Sequence, residues 1–206
     1  MTKQTDAPRV CLILLPLVIF SLGALRGQSV NKHSIHRVDF QNFTYRTPCL
    51  EYNPVLIHTR DGSFRQKHGD EKLFLKVWRV TYGDLTGDQR DEAAVLTICD
   101  TGGSGRFTQG YIYTMRKGRV VELTQVEGGD RAFYGIHYIR MERGLLVVER
   151  YAPLEEGVGA CCPKYIDTQK YRWNGRRLIR TGKTHRRNFL SSCASCSLVT
   201  SSNAPL

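Results

Sequence analysis

The sequence predicts an all-β fold: one mainly antiparallel β-domain, a sandwich or partly open barrel of about eight or nine strands. Three observations carry this. Branched and aromatic residues come in short runs. Glycine-containing pairs that favour tight turns separate those runs. No stretch repeats apolar residues at helical spacing for three turns. A chain of 206 residues suits a single domain with a core of its own. With 41% hydrophobic residues and a mean hydropathy of −0.35, the body reads as globular rather than disordered or membrane-spanning.

The elements follow in order. Residues 1–9 are polar and carry Lys3 and Arg9, and residues 10–25 (VCLILLPLVIFSLGAL) are almost continuously apolar. That run is short for a membrane-spanning helix, which needs about 20 residues, and Pro16 interrupts it. A positive start, an apolar middle and the small residues Gly27 and Ser29 describe a secretory signal peptide over residues 1–29. The mature chain is then secreted or periplasmic with no transmembrane helix; an uncleaved signal would leave it attached to the membrane. Cys11 stands at the front of the apolar run, whereas a lipid-accepting cysteine lies just behind one.

Residues 30–182 form the β-domain. Residues 38–40 and 43–45 are β-favouring. Residues 73–82 (LFLKVWRVTY) predict a long strand. Residues 93–99 (AAVLTIC) are apolar at every other position and between, as in a central strand. Residues 111–115 lead through Lys117-Gly118 into 120–123, a hairpin pattern. Residues 136–141 lead through Arg143-Gly144 into 145–149, and 171–173 lead through Asn174-Gly175 into 178–179. Asn-Gly is the strongest short hairpin signal, because both turn positions need positive φ. Asp61-Gly62 predicts a further tight turn. Residues 183–206 are basic and then Ser-rich, and read as a tail without fixed structure.

Export fits the cysteines. Beyond residue 29 the chain holds Cys49, Cys99, Cys161, Cys162, Cys193 and Cys196. An even number in an oxidising compartment points to disulfides, and six cysteines allow 15 pairings. Cys161 and Cys162 are adjacent and pair with different partners, for which Cys49 and Cys99 are the natural candidates. Cys193-Ala-Ser-Cys196 is a lone CxxC, read as a tail disulfide or free thiols, since a zinc site needs a second ligand pair.

Removing residues 1–29 takes Lys3, Arg9, Arg26 and Asp6 from the 30 basic and 19 acidic residues, leaving 27 and 18, a net +9. The excess gathers in Arg176, Arg177, Arg180, Lys183, Arg186 and Arg187. Its functional reading is attraction to anionic envelope polymers or lipid headgroups; its bland reading is a solvated strand pair. No nucleic-acid-binding motif is present, so nucleic acid is not an expected partner. The aromatics Trp78, Tyr82, Tyr111, Tyr113, Tyr151, Tyr171 and Trp173 are either core or a stripe for holding glycans.

The sharpest chemical motif is residues 83–95 (GDLTGDQRDEAAV), in which acidic residues alternate with turn residues and then enter an apolar strand. Counted as a calcium loop, it offers Asp84 at position 1, Thr86 at 3, Asp88 at 5, the carbonyl of Arg90 at 7 and Glu92 at 9, with Asp91 as a neighbouring alternative. Thr86 is neutral where Asp or Asn is usual, Gln89 replaces the turn Gly, and Arg90 brings a positive charge. The competing reading is a polar turn whose Asp side chains cap their own backbone. Thr101-Gly102-Gly103-Ser104-Gly105 matches neither a nucleophile elbow nor a dinucleotide loop, since Arg106 and Thr108 fall where Gly is required; it reads as a strand connection. His33 and His36 have chelating spacing but lie just after the cleavage point, in a segment read as mobile. No Ser/His/Asp or Cys/His set assembles, and no spacing singles out an acid/base pair.

Taken together, Val38-Asp39-Phe40, Asn42 to Tyr45, Tyr82 to Asp88, Glu92-Ala93, Gly102 to Gly105, Gly129-Asp130-Arg131, Val147 to Tyr151, Gly159 to Pro163 and Tyr171 to Gly175 resemble, in this order, a group of exported bacterial proteins that includes the LppP/LprE-type lipoproteins. The resemblance implies export, a single β-rich domain and no established activity; the lipobox of those lipoproteins is missing here. The Asp-x-Thr-Gly-Asp loop is similar to the calcium loops of FG-GAP repeats, but one copy cannot build a propeller. The expectation is a non-enzymatic binding or structural module of the envelope, with Ca²⁺ in the 84–92 loop as an option. The alternatives are a hydrolase of envelope polysaccharide or peptidoglycan, and an inhibitor presenting a loop stapled by Cys161 or Cys162.

Overall fold

A computed structural model describes residues 34–48, 55–68, 71–102, 106–131, 134–152 and 163–189. A 3-10 turn at Ile35–Arg37 precedes eleven strands: β1 (Thr44–Thr47), β2 (Val55–His58), β3 (Ser63–His68), β4 (Glu71–Gly83), β5 (Glu92–Asp100), β6 (Arg106–Arg116), β7 (Arg119–Val126), β8 (Ile136–Glu142), β9 (Leu145–Ala152), β10 (Tyr165–Trp173) and β11 (Leu178–Asn188). No α-helix occurs among the described residues. The strands form sheets in the orders β1-β2, β3-β4-β5-β6-β7 and β11-β10-β9-β8, and every described pairing is antiparallel. The all-β expectation therefore holds, with β2 and β3 added to the strands read from sequence.

β5 is the middle strand of the five-stranded sheet and is buried on both faces. Ala93, Val95 and Cys99 join one apolar cluster with Tyr45, Ile57, Leu75, Tyr111 and Tyr113. Ala94 and Leu96 join a second with Ile112 of β6 and with Ile139, Leu146 and Val148 of the four-stranded sheet. The first cluster is aromatic. Phe40 lies 5.4 Å from Tyr113, Phe43 lies 5.2 Å from both Tyr45 and Tyr113, and Tyr45 lies 5.4 Å from Tyr111, in tilted or edge-on arrangements for most pairs, as ring quadrupoles favour. Tyr111 and Tyr113 are thus core.

Three of the predicted turns adopt the expected geometry. Asp61-Gly62, Lys117-Gly118 and Arg143-Gly144 all have positive φ at both positions, matching the twist of the strands they join. At Gly62 a β-carbon would also collide with Gln41 Oε1. The Asn174-Gly175 hairpin forms in the expected place by different means. Four residues separate β10 from β11, only Gly175 has positive φ, and Asn174 Oδ1 accepts the N–H groups of Arg176 and Arg177. Asn174 acts as an Asx cap because its side chain substitutes for a backbone acceptor.

Three expectations are corrected. Residues 38–40 are not a strand: Asp39 Oδ1 accepts the N–H groups of Gln41 and Asn42, closing a turn. The segment at His36 is not loose, since Ile35 is 2% exposed and packs in the first cluster. The domain does not stop at residue 182, because β11 continues to Asn188, pairing Thr168 with His185 and Tyr165 with Asn188. Residues 190–206 lie outside the described residues, as do residues 1–33.

A β-bulge shapes β4. Val77 pairs with Thr97 and Arg79 with Leu96, so Trp78 is the extra residue. Before it, Leu73, Leu75 and Val77 face the first cluster; after it, Val80 and Tyr82 do. Arg79 and Thr81 turn instead toward β8, where they donate to Tyr138 Oη and the Ile139 carbonyl. Where β4 meets β8 there is no room for a side chain: a β-carbon on Gly83 would lie 2.8 Å from Met141 Cβ.

Candidate functional site

The acidic loop runs from the end of β4 to the start of β5. Its organising group is Glu92, whose side chain is fully buried. Oε2 accepts the N–H groups of Leu85 (2.9 Å) and Thr86 (3.0 Å). Oε1 accepts the hydroxyls of Thr114 (2.8 Å) and Thr86 (3.5 Å). Burial pushes the Glu92 carboxyl above its ordinary range, although these hydrogen bonds favour the charged form. Asp84 caps the turn: Gly87 N–H donates to Oδ1 (2.6 Å) and Gln89 N–H to Oδ2 (2.9 Å). Gln89 takes a left-handed φ of 64° at the position where a calcium loop has Gly. Asp88 accepts the Arg90 N–H at 3.0 Å, and its other oxygen lies 3.6 Å from Arg90 Nε. Asp91 pairs with His36 Nε2 at 2.7 Å, and the His36 ring stacks on Tyr82 with centroids 4.1 Å apart.

Each loop carboxylate therefore meets donors from the protein. Among the described residues no group of three or more His, Cys, Asp or Glu side chains is arranged to hold a metal ion. Asp84, Thr86, Asp88 and Glu92 lie in one loop, but their oxygens are aimed at N–H and O–H groups rather than at a common point, and the Arg90 guanidinium stands at Asp88.

Of the cysteines, Cys99 is buried on β5 and is disulfide-bonded. Cys49, Cys161, Cys162, Cys193 and Cys196 lie outside the described residues, as does His33. The basic end is divided. Arg186 makes a bidentate pair with the buried Asp167 (2.7 and 2.8 Å), and Arg187 reaches Glu149 at 2.8 Å. Arg176 and Arg177, with Asn174, line a hollow at the hairpin tip.

A second constellation was not singled out in the sequence. Before the bulge the outer face of the five-stranded sheet is open. Arg65 stands opposite Phe74, and Lys67 stands opposite Lys72. Lys76 follows on the same face of β4, and Arg65, Lys67, Lys72 and Lys76 are all exposed. Among the described residues none of these four is in an ion pair. Asp100, across from Phe74, lies 3.8 Å from Arg106. Two aromatic rings sit among the cations. The Arg65 guanidinium lies 4.8 Å from the centre of Phe74 and the Lys76 ammonium 5.3 Å from that of Trp78. Trp78 is 52% exposed. The sequence signal is the alternation in 72–78, where Lys72, Phe74, Lys76 and Trp78 interleave with Leu73, Leu75 and Val77. That period of two sends one set inward and the other to water.

No family model, no curated protein and no solved structure matches this chain.

Proposed function

We propose that this protein is an exported, non-enzymatic binding module of the cell envelope that holds an anionic polymer on the open cationic face formed by β3 and β4. The observation that carries this is Lys67 directly opposite Lys72, with Arg65 and Lys76 beside them. Like charges facing each other across a strand pair are destabilising, and a bound polyanion relieves that repulsion. Lysines on an edge strand also guard against edge-to-edge pairing, a role that β3 alone would serve. It does not account for the cations of β4, which lies inside the sheet, or for an open indole among them. Export is supported by the charged start, apolar run and small residues of 1–29.

The test is retention of the full chain on an immobilised polyanion at low and at physiological salt. Replacing Lys67, Lys72 and Lys76 together by Ser is expected to weaken binding by about tenfold or more at low salt, and added salt to weaken the parent protein, since exposed charges are screened. Equal retention of parent and triple variant overturns the reading.

A further inference from the structure

The cations alone would suit any polyanion, including a phosphate polymer or a layer of lipid headgroups. Trp78 is what such a ligand would not use. It is the extra residue of the bulge, and bulges re-aim the side chain they carry. Its neighbours are committed. Val77 packs inward. Arg79 turns to β8, with its guanidinium 4.3 Å from the Tyr138 ring centre and a hydrogen bond to the Tyr138 hydroxyl. The other ring on the open face, Phe74, is half-buried and covered by Arg65. One large aromatic surface thus remains open to water at the end of a cationic field. A single exposed aromatic residue is ordinary on a protein surface. An indole flanked by Lys76 on its own strand, with Lys72 and the Lys67–Lys72 pair beyond, adds charge complementarity to that apolar surface.

A pyranose ring has an apolar C–H face that lies flat on an indole, and a uronic acid carries a carboxylate on the same ring. We infer that the polymer is an acidic polysaccharide, one of whose uronate rings stacks on Trp78 with its carboxylate at Lys76 and the next anionic groups along Lys72 and Lys67. This rests on the proposed function above and narrows it to one ligand class.

The experiment measures the affinity of the full chain for polygalacturonate, polyphosphate, phosphatidylglycerol vesicles and single-stranded DNA, for the parent, Trp78→Ala, Trp78→Tyr, and the double change Lys72→Ser with Lys76→Ser. Because Trp78 is exposed, its variants are expected to fold, which circular dichroism checks. The expected result is a loss of about tenfold for polygalacturonate in Trp78→Ala, recovered in Trp78→Tyr, with polyphosphate and vesicle binding unchanged by either. The double lysine variant weakens every polyanion. In a Trp173→Phe background, polygalacturonate shifts the emission of Trp78 to the blue and polyphosphate does not. If Trp78→Ala leaves polygalacturonate binding intact while the lysine variant weakens it, the polysaccharide inference falls and the general reading stands. A Trp78-dependent preference for single-stranded DNA also overturns the inference. If the lysine variant changes nothing, both fall.

Discussion

The Glu92 carboxylate, fully buried at the start of β5, accepts the Thr114 hydroxyl of β6 at 2.8 Å. Its other oxygen holds the N–H groups of Leu85 and Thr86, so one side chain fastens the acidic loop to the central strands. Glu92→Ala strands those donors without partners. Its expected cost is about 2–4 kcal/mol, from buried hydrogen-bonding groups left unsatisfied. Glu92→Gln keeps an oxygen for the two N–H groups and turns an amide toward the hydroxyls, so it should stay within about 1 kcal/mol of the parent. Chemical denaturation midpoints of the two variants check this; equal losses would refute it.

The same residue gives stability a pH dependence of definite sign. Burial raises the Glu92 carboxyl in the folded state above its unfolded value. Its contribution is therefore fully present below the unfolded value and is lost as pH rises through the folded one. Glu149 behaves oppositely. Burial works against its charge, but hydrogen bonds from Arg140 and Arg187 outweigh that and hold its carboxyl low. Its contribution is present above the unfolded value and disappears as pH falls through the folded one. Urea titrations across acid pH should show the parent losing ground to Glu92→Gln as pH rises, and Glu149→Gln closing on the parent as pH falls.

Strand β11 beyond residue 182 depends on Asp167. Arg186 grips that buried carboxylate with two bonds, and Phe189 N–H donates to the Lys164 carbonyl at 2.7 Å. Hydrogen exchange should find the ladder amides of 185–188 protected. Arg186→Ala should cost about 1–3 kcal/mol by leaving Asp167 uncompensated, and should raise exchange in that stretch first. Unprotected amides there in the parent would return the segment to the tail.

Cys99 is tied into the core by a disulfide. Non-reducing peptide mapping is expected to recover it linked to Cys49, Cys161 or Cys162. Reduction or Cys99→Ala should destabilise the domain by about 2–4 kcal/mol, read as a fall in melting temperature.

Millimolar Ca²⁺ is expected to leave the melting temperature of the full chain unmoved, because the loop oxygens face N–H and O–H donors. A rise that vanishes in Asp84→Asn would establish an ion in the loop.

Much of this was legible in the chain. Residues 93–99 announce a strand buried on both sides, and the Gly-containing turns announce their hairpins. What escaped was polar or short. β3 (SFRQKH) has one apolar side chain, Phe64, and as an edge strand needs no more. In β2 (VLIH) Leu56 is 73% exposed, so four residues carry too weak an alternation. β11 is also an edge strand, and there arginines can pair in the ladder while their heads reach water. The acidic loop was readable as either a metal cradle or a self-capped turn, because the same oxygens serve both. Sequence spacing does not say which donors they will meet. The cationic face was readable in 72–78, but its importance depends on Lys67 arriving opposite Lys72, a register that local pattern does not contain.

The surplus residue at position 78 splits β4 into two halves of opposite parity. Exchanging one side chain for another anywhere along the strand disturbs one contact. Were position 78 paired in step like its neighbours, the far half would invert as a block, carrying Arg79 and Thr81 toward the aromatic cluster and casting Val80 and Tyr82 into water. The strand should accordingly accept the loss of that one residue, with its indole, better than a residue gained or lost within either half.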